Sequence, residues 1–313
     1  MMLDPTAEQV LALGRSAGGR PFEDGTAEEA RAAYDAAFPA LQGPLEAVSE
    51  TRELRIEGPG GPIPLRLHRG HGAPAEAAPA ILYCHGGGWV IGGLDSHDDI
   101  CRWFANLAKA VVVCPDYRLA PEHPFPAGLE DCLATLRALA ERPAAFGIDA
   151  ARIAVAGDSA GGNLAAVLAL HGRDGRAPHV AVQLLIYPNT DAGQTADSYR
   201  RFADGFGLTA RTMRWFRDQY VRSAADIEDW RVSPLRAASL AGSPPAYLAL
   251  AGCDILHDEG EAYAERLHAE GVSTQIGRRA GQIHGYVSAG RFVPAARETV
   301  AEAVEAWRRF DGR

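Results

Sequence analysis

Ser159 stands in Gly157-Asp158-Ser159-Ala160-Gly161, between the apolar, β-branched run Ile153-Ala154-Val155 and the helix-forming run Asn163 to Leu170. That order reads as strand, turn, helix. Glycines on both sides of the serine let backbone and neighbouring strands come close, and a strained turn lifts Oγ clear of the sheet edge. A hydroxyl so presented is a nucleophile in waiting. It becomes one when a base removes its proton.

Ten histidines compete for that task. His284, in Gly281-Gln282-Ile283-His284-Gly285-Tyr286, falls in a loop after the last strand-like run and before the last helix. His68, His71, His171, His179 and His268 have no comparable placement and read as surface or satisfied core residues. An imidazole base needs a carboxylate to fix its tautomer and support its positive form. Asp254 follows the apolar run Tyr247-Leu248-Ala249-Leu250 through Ala251-Gly252-Cys253. Its rivals, Asp258 and Glu259, stand where the next helix begins, and helix capping and the helix dipole account for them there. A further loop, His85-Gly86-Gly87-Gly88-Trp89, follows the apolar run Ala80 to Cys84. Three successive glycines expose backbone N–H groups with no side chain in front of them, the requirement for holding a developing oxyanion. A phosphate loop fails on spacing, since G-x-G-x-x-G from Gly86 would need glycine at Ile91 and no Walker lysine is present.

The elements that would position these groups alternate in type. Residues 1–48 read as helical, with Ala30, Ala33, Tyr34, Ala37, Phe38 and Leu41 as one apolar stripe opposed by Glu28, Glu29, Arg31 and Asp35. This segment either closes over a site as a lid or packs as an extra helix. Residues 51–57 and 63–68 form a hairpin around a Gly-Pro-Gly-Gly-Pro turn. Strands then follow at 80–84, 111–113, 153–156, 180–187, 246–250 and 274–277, with helices at 100–108, 129–139, 160–171, 261–269 and near the C-terminus. The pattern predicts an α/β fold with a mostly parallel central sheet and helices on both faces. An aromatic-rich insertion at 189–240, between two central strands, is placed to cap the carboxyl edge of the sheet, where open α/β sheets bind their ligands. The expected division is thus an N-terminal helical segment, 1–48, and a catalytic domain, 49–313, with 189–240 inserted in it.

Composition narrows the function classes. The chain has 313 residues, 47% of them hydrophobic, and 31 Lys plus Arg against 40 Asp plus Glu, a net charge of −9. An acidic chain without a basic stripe is not expected to bind nucleic acid. No apolar run reaches the length of a membrane span, and the N-terminus lacks the pattern of a signal peptide, so a cytoplasmic location is expected. Five cysteines, Cys84, Cys101, Cys114, Cys132 and Cys253, are scattered without C-x-x-C spacing. Neither disulfides nor a metal site is expected.

Five ordered motifs together resemble the hormone-sensitive-lipase-like family of α/β-hydrolase esterases: His85 to Trp89, Tyr117 to Ala127, Gly157 to Gly162, Cys253 to Gly260, and His284-Gly285-Tyr286. The resemblance runs from about residue 80 to the C-terminus, and the N-terminal helices are similar to that family's cap. It implies the α/β-hydrolase fold with a helical cap. It implies Ser159 as nucleophile, His284 as base, Asp254 as its partner, and the N–H groups of Gly86, Gly87 and Ala160 as the oxyanion hole. No cofactor or metal is implied. The partner would be a small ester, with Trp89, Phe206, Leu208 and Tyr286 as pocket walls and short to medium acyl chains as the expected range. The family usually has proline at Ile255 and phenylalanine at Tyr286, which bears on acyl preference. The same constellation serves an amidase or deacetylase, and a non-catalytic ligand-binding homologue is the reading of another class. Homodimerisation through the edge near Thr274 to Gly277 is likewise an expectation from the resemblance alone.

Overall fold

The fold is taken from a computed structural model that describes residues 2–312. At its centre is an eight-stranded sheet: β1 (Glu50–Gly58), β2 (Gly61–Arg69), β3 (Ala78–Cys84), β4 (Val111–Pro115), β5 (Ile148–Asp158), β6 (Val182–Ile186), β7 (Ala246–Cys253) and β8 (Thr274–Ile283). Their spatial order is β1-β2-β4-β3-β5-β6-β7-β8. The hairpin β1–β2 and the β2–β4 pair are antiparallel, and all other neighbours are parallel. In register, Leu82 of β3 sits between Val113 and Val155.

The apolar runs explain the layers. Residues on β3 and β4 are buried on both sides of the pleat, so Leu82, Cys84, Val111 and Val113 join one core while Ile81, Tyr83, Val112 and Cys114 join the other. The first core is closed by helices α4 (Ala127–Glu141), α6 (Ala160–Arg173) and α10 (His257–Ala269), and the short α5 (Pro143–Phe146), between α4 and β5 in the chain, adds Phe146 to it. The second is closed by α3 (Asp98–Ala108) and α11 (Ala295–Phe310), whose Val300, Ala303, Val304 and Trp307 face inward as their spacing predicts.

The N-terminal segment is two helices, α1 (Pro5–Ala17) and α2 (Ala27–Leu41), not continuous helix to residue 48. Asp4 caps α1 by accepting from Thr6 N at 2.8 Å, and Gly18 ends it in the left-handed conformation. A Thr26–Glu29 capping box starts α2. The expected stripe on α2 is narrower than its spacing suggests. Ala30 is buried and Tyr34, Phe38 and Leu41 are half-buried, but Ala33 and Ala37 are exposed, because α2 rests on the body along a single line.

The insertion folds as α7 (Ser198–Arg201), α8 (Ala210–Tyr220) and α9 (Ala224–Glu228). It meets the N-terminal segment directly. Thr212 Oγ1 donates to Glu23 Oε2 at 2.9 Å, and Arg211 pairs with Asp24. A third apolar cluster joins Ala7 of α1 with Tyr199, Phe202 and Met213 of the insertion and with Cys253, Ile255 and Ile283 at the carboxyl ends of β7 and β8. Among the described residues, no helix is long and apolar enough to cross a membrane.

Candidate active site

Four strands end at one edge of the sheet, and each delivers a residue there on the very next position. Ser159 follows β5, Asp254 follows β7, His284 follows β8, and His85, opening the glycine loop, follows β3. Because these strands are parallel, four distant stretches of sequence converge on the same edge.

Ser159 occupies φ 54°, ψ −118°, a strained conformation for a residue with a side chain. Neighbouring groups hold it there. Ser159 N donates to Ile186 O at 2.9 Å, while Ser159 O accepts from Asn163 N at 3.0 Å and Asn189 N at 3.1 Å. The flanking glycines are needed for close approach: a Cβ on Gly157 would lie 2.5 Å from Cys84 O, and one on Gly161 only 2.0 Å from it.

Ser159 Oγ lies 2.8 Å from His284 Nε2, and His284 Nδ1 lies 2.8 Å from Asp254 Oδ2. Asp254 is buried and its other oxygen accepts from Leu256 N at 2.9 Å, so the carboxylate is fixed at both ends. The structure therefore brings Ser159, His284 and Asp254 into one hydrogen-bonded chain. The rival acids are engaged elsewhere. Asp258 accepts from Ser198 N and pairs with Arg201. Glu259 is buried, not an exposed helix cap, and its Oε1 accepts from Asn189 Nδ2 at 2.8 Å and Thr190 N at 2.7 Å. Burial pushes its carboxyl well above the ordinary range.

The glycine loop corrects one expectation. Gly86 N donates to Asp158 Oδ1 at 3.0 Å, so this N–H is spent inside the protein. A Cβ at Gly86 would fall 2.2 Å from Asp158 Oδ2, which is why glycine is required there. Among the described residues, the N–H groups of Gly87, Gly88 and Ala160 have no protein acceptor.

Residues 81–288 match the sequence pattern of a family described as alpha/beta hydrolase fold. Esterase LipI of Mycobacterium tuberculosis (strain ATCC 25618 / H37Rv) is 44% identical over 261 residues, which cover 82% of this chain and 81% of that protein. Ethyl acetate hydrolase of Pseudomonas putida is 40% identical over 304 residues, 95% of each chain. The solved structure of an ester-hydrolase, EH1AB1, from the metagenome of Lake Arreo superposes with a TM-score of 0.95 at 40% identity, covering 100% of both chains. The chain belongs to the hormone-sensitive-lipase-like family of α/β hydrolases.

The four expected wall residues of this hydrolase are placed unlike one another. Phe206 and Leu208 are half-buried beside α1, where Phe206 packs edge-on against Phe202 at 5.0 Å. Trp89 is instead buried in the core, stacked on Tyr220 with ring centres 4.3 Å apart. Tyr286 is also buried, its hydroxyl 2.7 Å from Thr299 Oγ1 of α11, so it supports the floor under the site and has no face to offer a ligand. Both departures from the family's usual residues are thus absorbed, Tyr286 by Thr299 and Ile255 by the apolar cluster it shares with Phe202 and Ile283. Two residues not anticipated stand closer to the chemistry. Tyr187 places its ring 4.6 Å from that of His284, and Phe216 of α8 covers Gly88 so closely that a Cβ there would lie 2.3 Å from Phe216 Cγ. The aromatic richness of the insertion was the available signal for Phe216. Nothing in local spacing marks Tyr187.

Two cavities, of about 330 and 690 Å³, are both lined by His171 and Arg231, and neither includes Ser159, Asp254 or His284. Among the described residues, no group of three His, Cys, Asp or Glu side chains is arranged to hold a metal ion.

Proposed function

We propose that this hydrolase is a serine carboxylesterase acting on short- to medium-chain esters. The observation that carries the reading is the Ser159–His284–Asp254 hydrogen-bond chain, 2.8 Å at each step. His284 Nε2 takes the Ser159 proton as Oγ attacks the ester carbonyl, and Asp254 holds the imidazolium that results. The carbonyl oxygen gains negative charge opposite the free N–H groups of Gly87, Gly88 and Ala160, each worth roughly 10²- to 10³-fold in rate where such donors have been removed in other enzymes. The tetrahedral centre collapses, the C–O bond to the alcohol breaks, and His284 gives its proton to the departing alkoxide. Water then repeats the sequence on the acyl-enzyme and releases the acid. The relatives' names support the class, and ethyl acetate, named for one of them, lies at the short end of the proposed range.

Hydrolysis rates for p-nitrophenyl esters from acetyl to dodecanoyl, measured for wild type and Ser159→Ala, test this. Turnover of the shorter chains that disappears in Ser159→Ala is expected. Turnover that survives the substitution would remove Ser159 from the reaction, and inactivity of the wild type on every chain would overturn the esterase reading. A homodimer through β8, an edge strand of the sheet, belongs to the same proposal. A light-scattering mass near twice the 33.3 kDa of the chain is expected, and a monomer mass removes it. Five buried, unpaired cysteines fit the reducing cytoplasm as its setting.

A further inference from the structure

Asp158 lies between the elbow's first glycine and the serine, and it is buried. Its Oδ1 accepts from Tyr83 OH at 2.8 Å and from Gly86 N at 3.0 Å, and lies 3.3 Å from His97 Nε2. The protons on His97 can be assigned from its neighbours. Ser96 Oγ donates to Gly93 O at 3.1 Å and therefore accepts from His97 Nδ1, 2.8 Å away. With Nδ1 protonated, Nε2 has two states. Protonated, it pairs with Asp158 and leaves Gly86 N–H to the carboxylate. Neutral, its lone pair faces Gly86 N at 3.2 Å and competes for that same N–H.

The carbonyls around this point are also anchored. Tyr117 OH donates to His85 O at 2.8 Å, His85 Nδ1 lies 2.8 Å from Gly86 O, and Ile91 N donates to Gly87 O at 2.9 Å. The Gly86 N–H is thus an anchor whose acceptor depends on a charge state, and it sits one residue before the free N–H of Gly87. We infer that Asp158 and His97 are positioning residues: their buried ion pair holds Gly86 N and thereby aims the Gly87 and Gly88 N–H groups at the reacting carbonyl oxygen. This rests on the esterase reading of the site.

The groups facing His97 are Asp158, Asp99, His85 and Tyr83, and Tyr34 of α2 lies within the field of Asp158. Burial acts to lower the His97 pKa, and the Asp158 carboxylate more than offsets it, leaving the value above that of a free histidine. Burial, with the His97 charge beside it, drops His85 to about 3, so His85 stays neutral. A raised histidine pKa means that the pair is intact at low pH and is lost as pH rises through the folded value. An alkaline limb in the rate profile, set by His97, is therefore expected.

The test compares wild type, Asp158→Asn and His97→Gln in three measurements: kcat and KM for the best p-nitrophenyl ester across pH, the Ki of an aryl trifluoromethyl ketone, and the unfolding midpoint. Ser159 Oγ adds to the ketone to give a tetrahedral anion, so its Ki reads the N–H donors directly. Both variants are expected to lose about 10- to 10²-fold in kcat with KM within about twofold, and to lose ketone affinity by a similar factor. His97→Gln is also expected to lose the alkaline limb. Unchanged kcat, a loss confined to KM, or a kcat loss with unchanged ketone affinity overturns the inference. If Asp158→Asn does not fold, His97→Gln and the wild-type pH profile decide it. A wild type that neither hydrolyses esters nor binds the ketone overturns the esterase reading as well, whereas an active wild type with unaffected variants overturns this inference alone.

Discussion

At the scale of single residues, the site is built from groups whose alternatives have been removed. Asp254 has one oxygen on His284 and the other on a backbone N–H, which fixes the orientation of its carboxylate. Asp254→Asn keeps the shape but leaves the imidazole in the wrong tautomer, and a kcat loss of about 10⁴-fold is expected in steady-state assays of p-nitrophenyl acetate. Gly88 and Phe216 form a second coupled pair. Gly88 has φ 60° and is covered by the Phe216 ring, so Gly88→Ala is strained in backbone and crowded in space. Phe216→Ala acts in the opposite direction by opening room beside the glycine loop. The longest acyl chain hydrolysed at an appreciable rate should increase in that variant, as read from the chain-length profile.

At the scale of elements, two devices tie the N-terminal segment and the insertion to the body. Arg31 on α2 donates through Nε to Val90 O and through Nη2 to Ala120 O, both at 2.8 Å, and pairs with Glu122. Its hydrogen bond holds the Glu122 carboxyl down to about 2. Arg31→Ala leaves two partly buried carbonyls without that donor, at a cost of about 1–3 kcal/mol for each such group. Faster amide exchange across α2, seen by mass spectrometry, is the expected sign, together with a Glu122 that titrates nearer the ordinary carboxylate range. Glu259 is the second device, since it joins α10 to the segment 189–191 that opens the insertion. Because its pKa is raised in the folded protein, the native state holds a proton that the unfolded chain releases, and stability falls as pH rises above the unfolded carboxyl value. In urea unfolding at pH 5 and pH 8, Glu259→Gln should therefore lose less stability across the interval than the wild type.

At the scale of the whole molecule, the alternation of apolar strands and helices was legible because each central strand is buried on both faces and reads as an unbroken run. The convergence of Ser159, Asp254 and His284 was legible for a related reason. A residue directly after such a run is already located at the sheet's carboxyl edge. What stayed hidden depends on contacts between distant segments. The full length of β8 was obscured by Arg278 and Arg279, which interrupt its apolar character at the edge of the sheet. Gly86 was assigned the wrong partner because a backbone N–H carries no mark of its acceptor until Asp158, more than seventy positions away, is folded against it. Trp89 and Tyr286 looked like wall residues on type and position, and only packing against Tyr220 and Thr299 reveals which way they face.

The five thiols are distributed over β3, α3, β4, α4 and β7, and each is at most 2% exposed. The native chain is consequently its own reporter of opening. Ellman's reagent should find almost nothing to modify until the sheet and its flanking helices part, and then find five sites. The rate at which colour appears would read how often the hydrolase breathes without any label having been introduced.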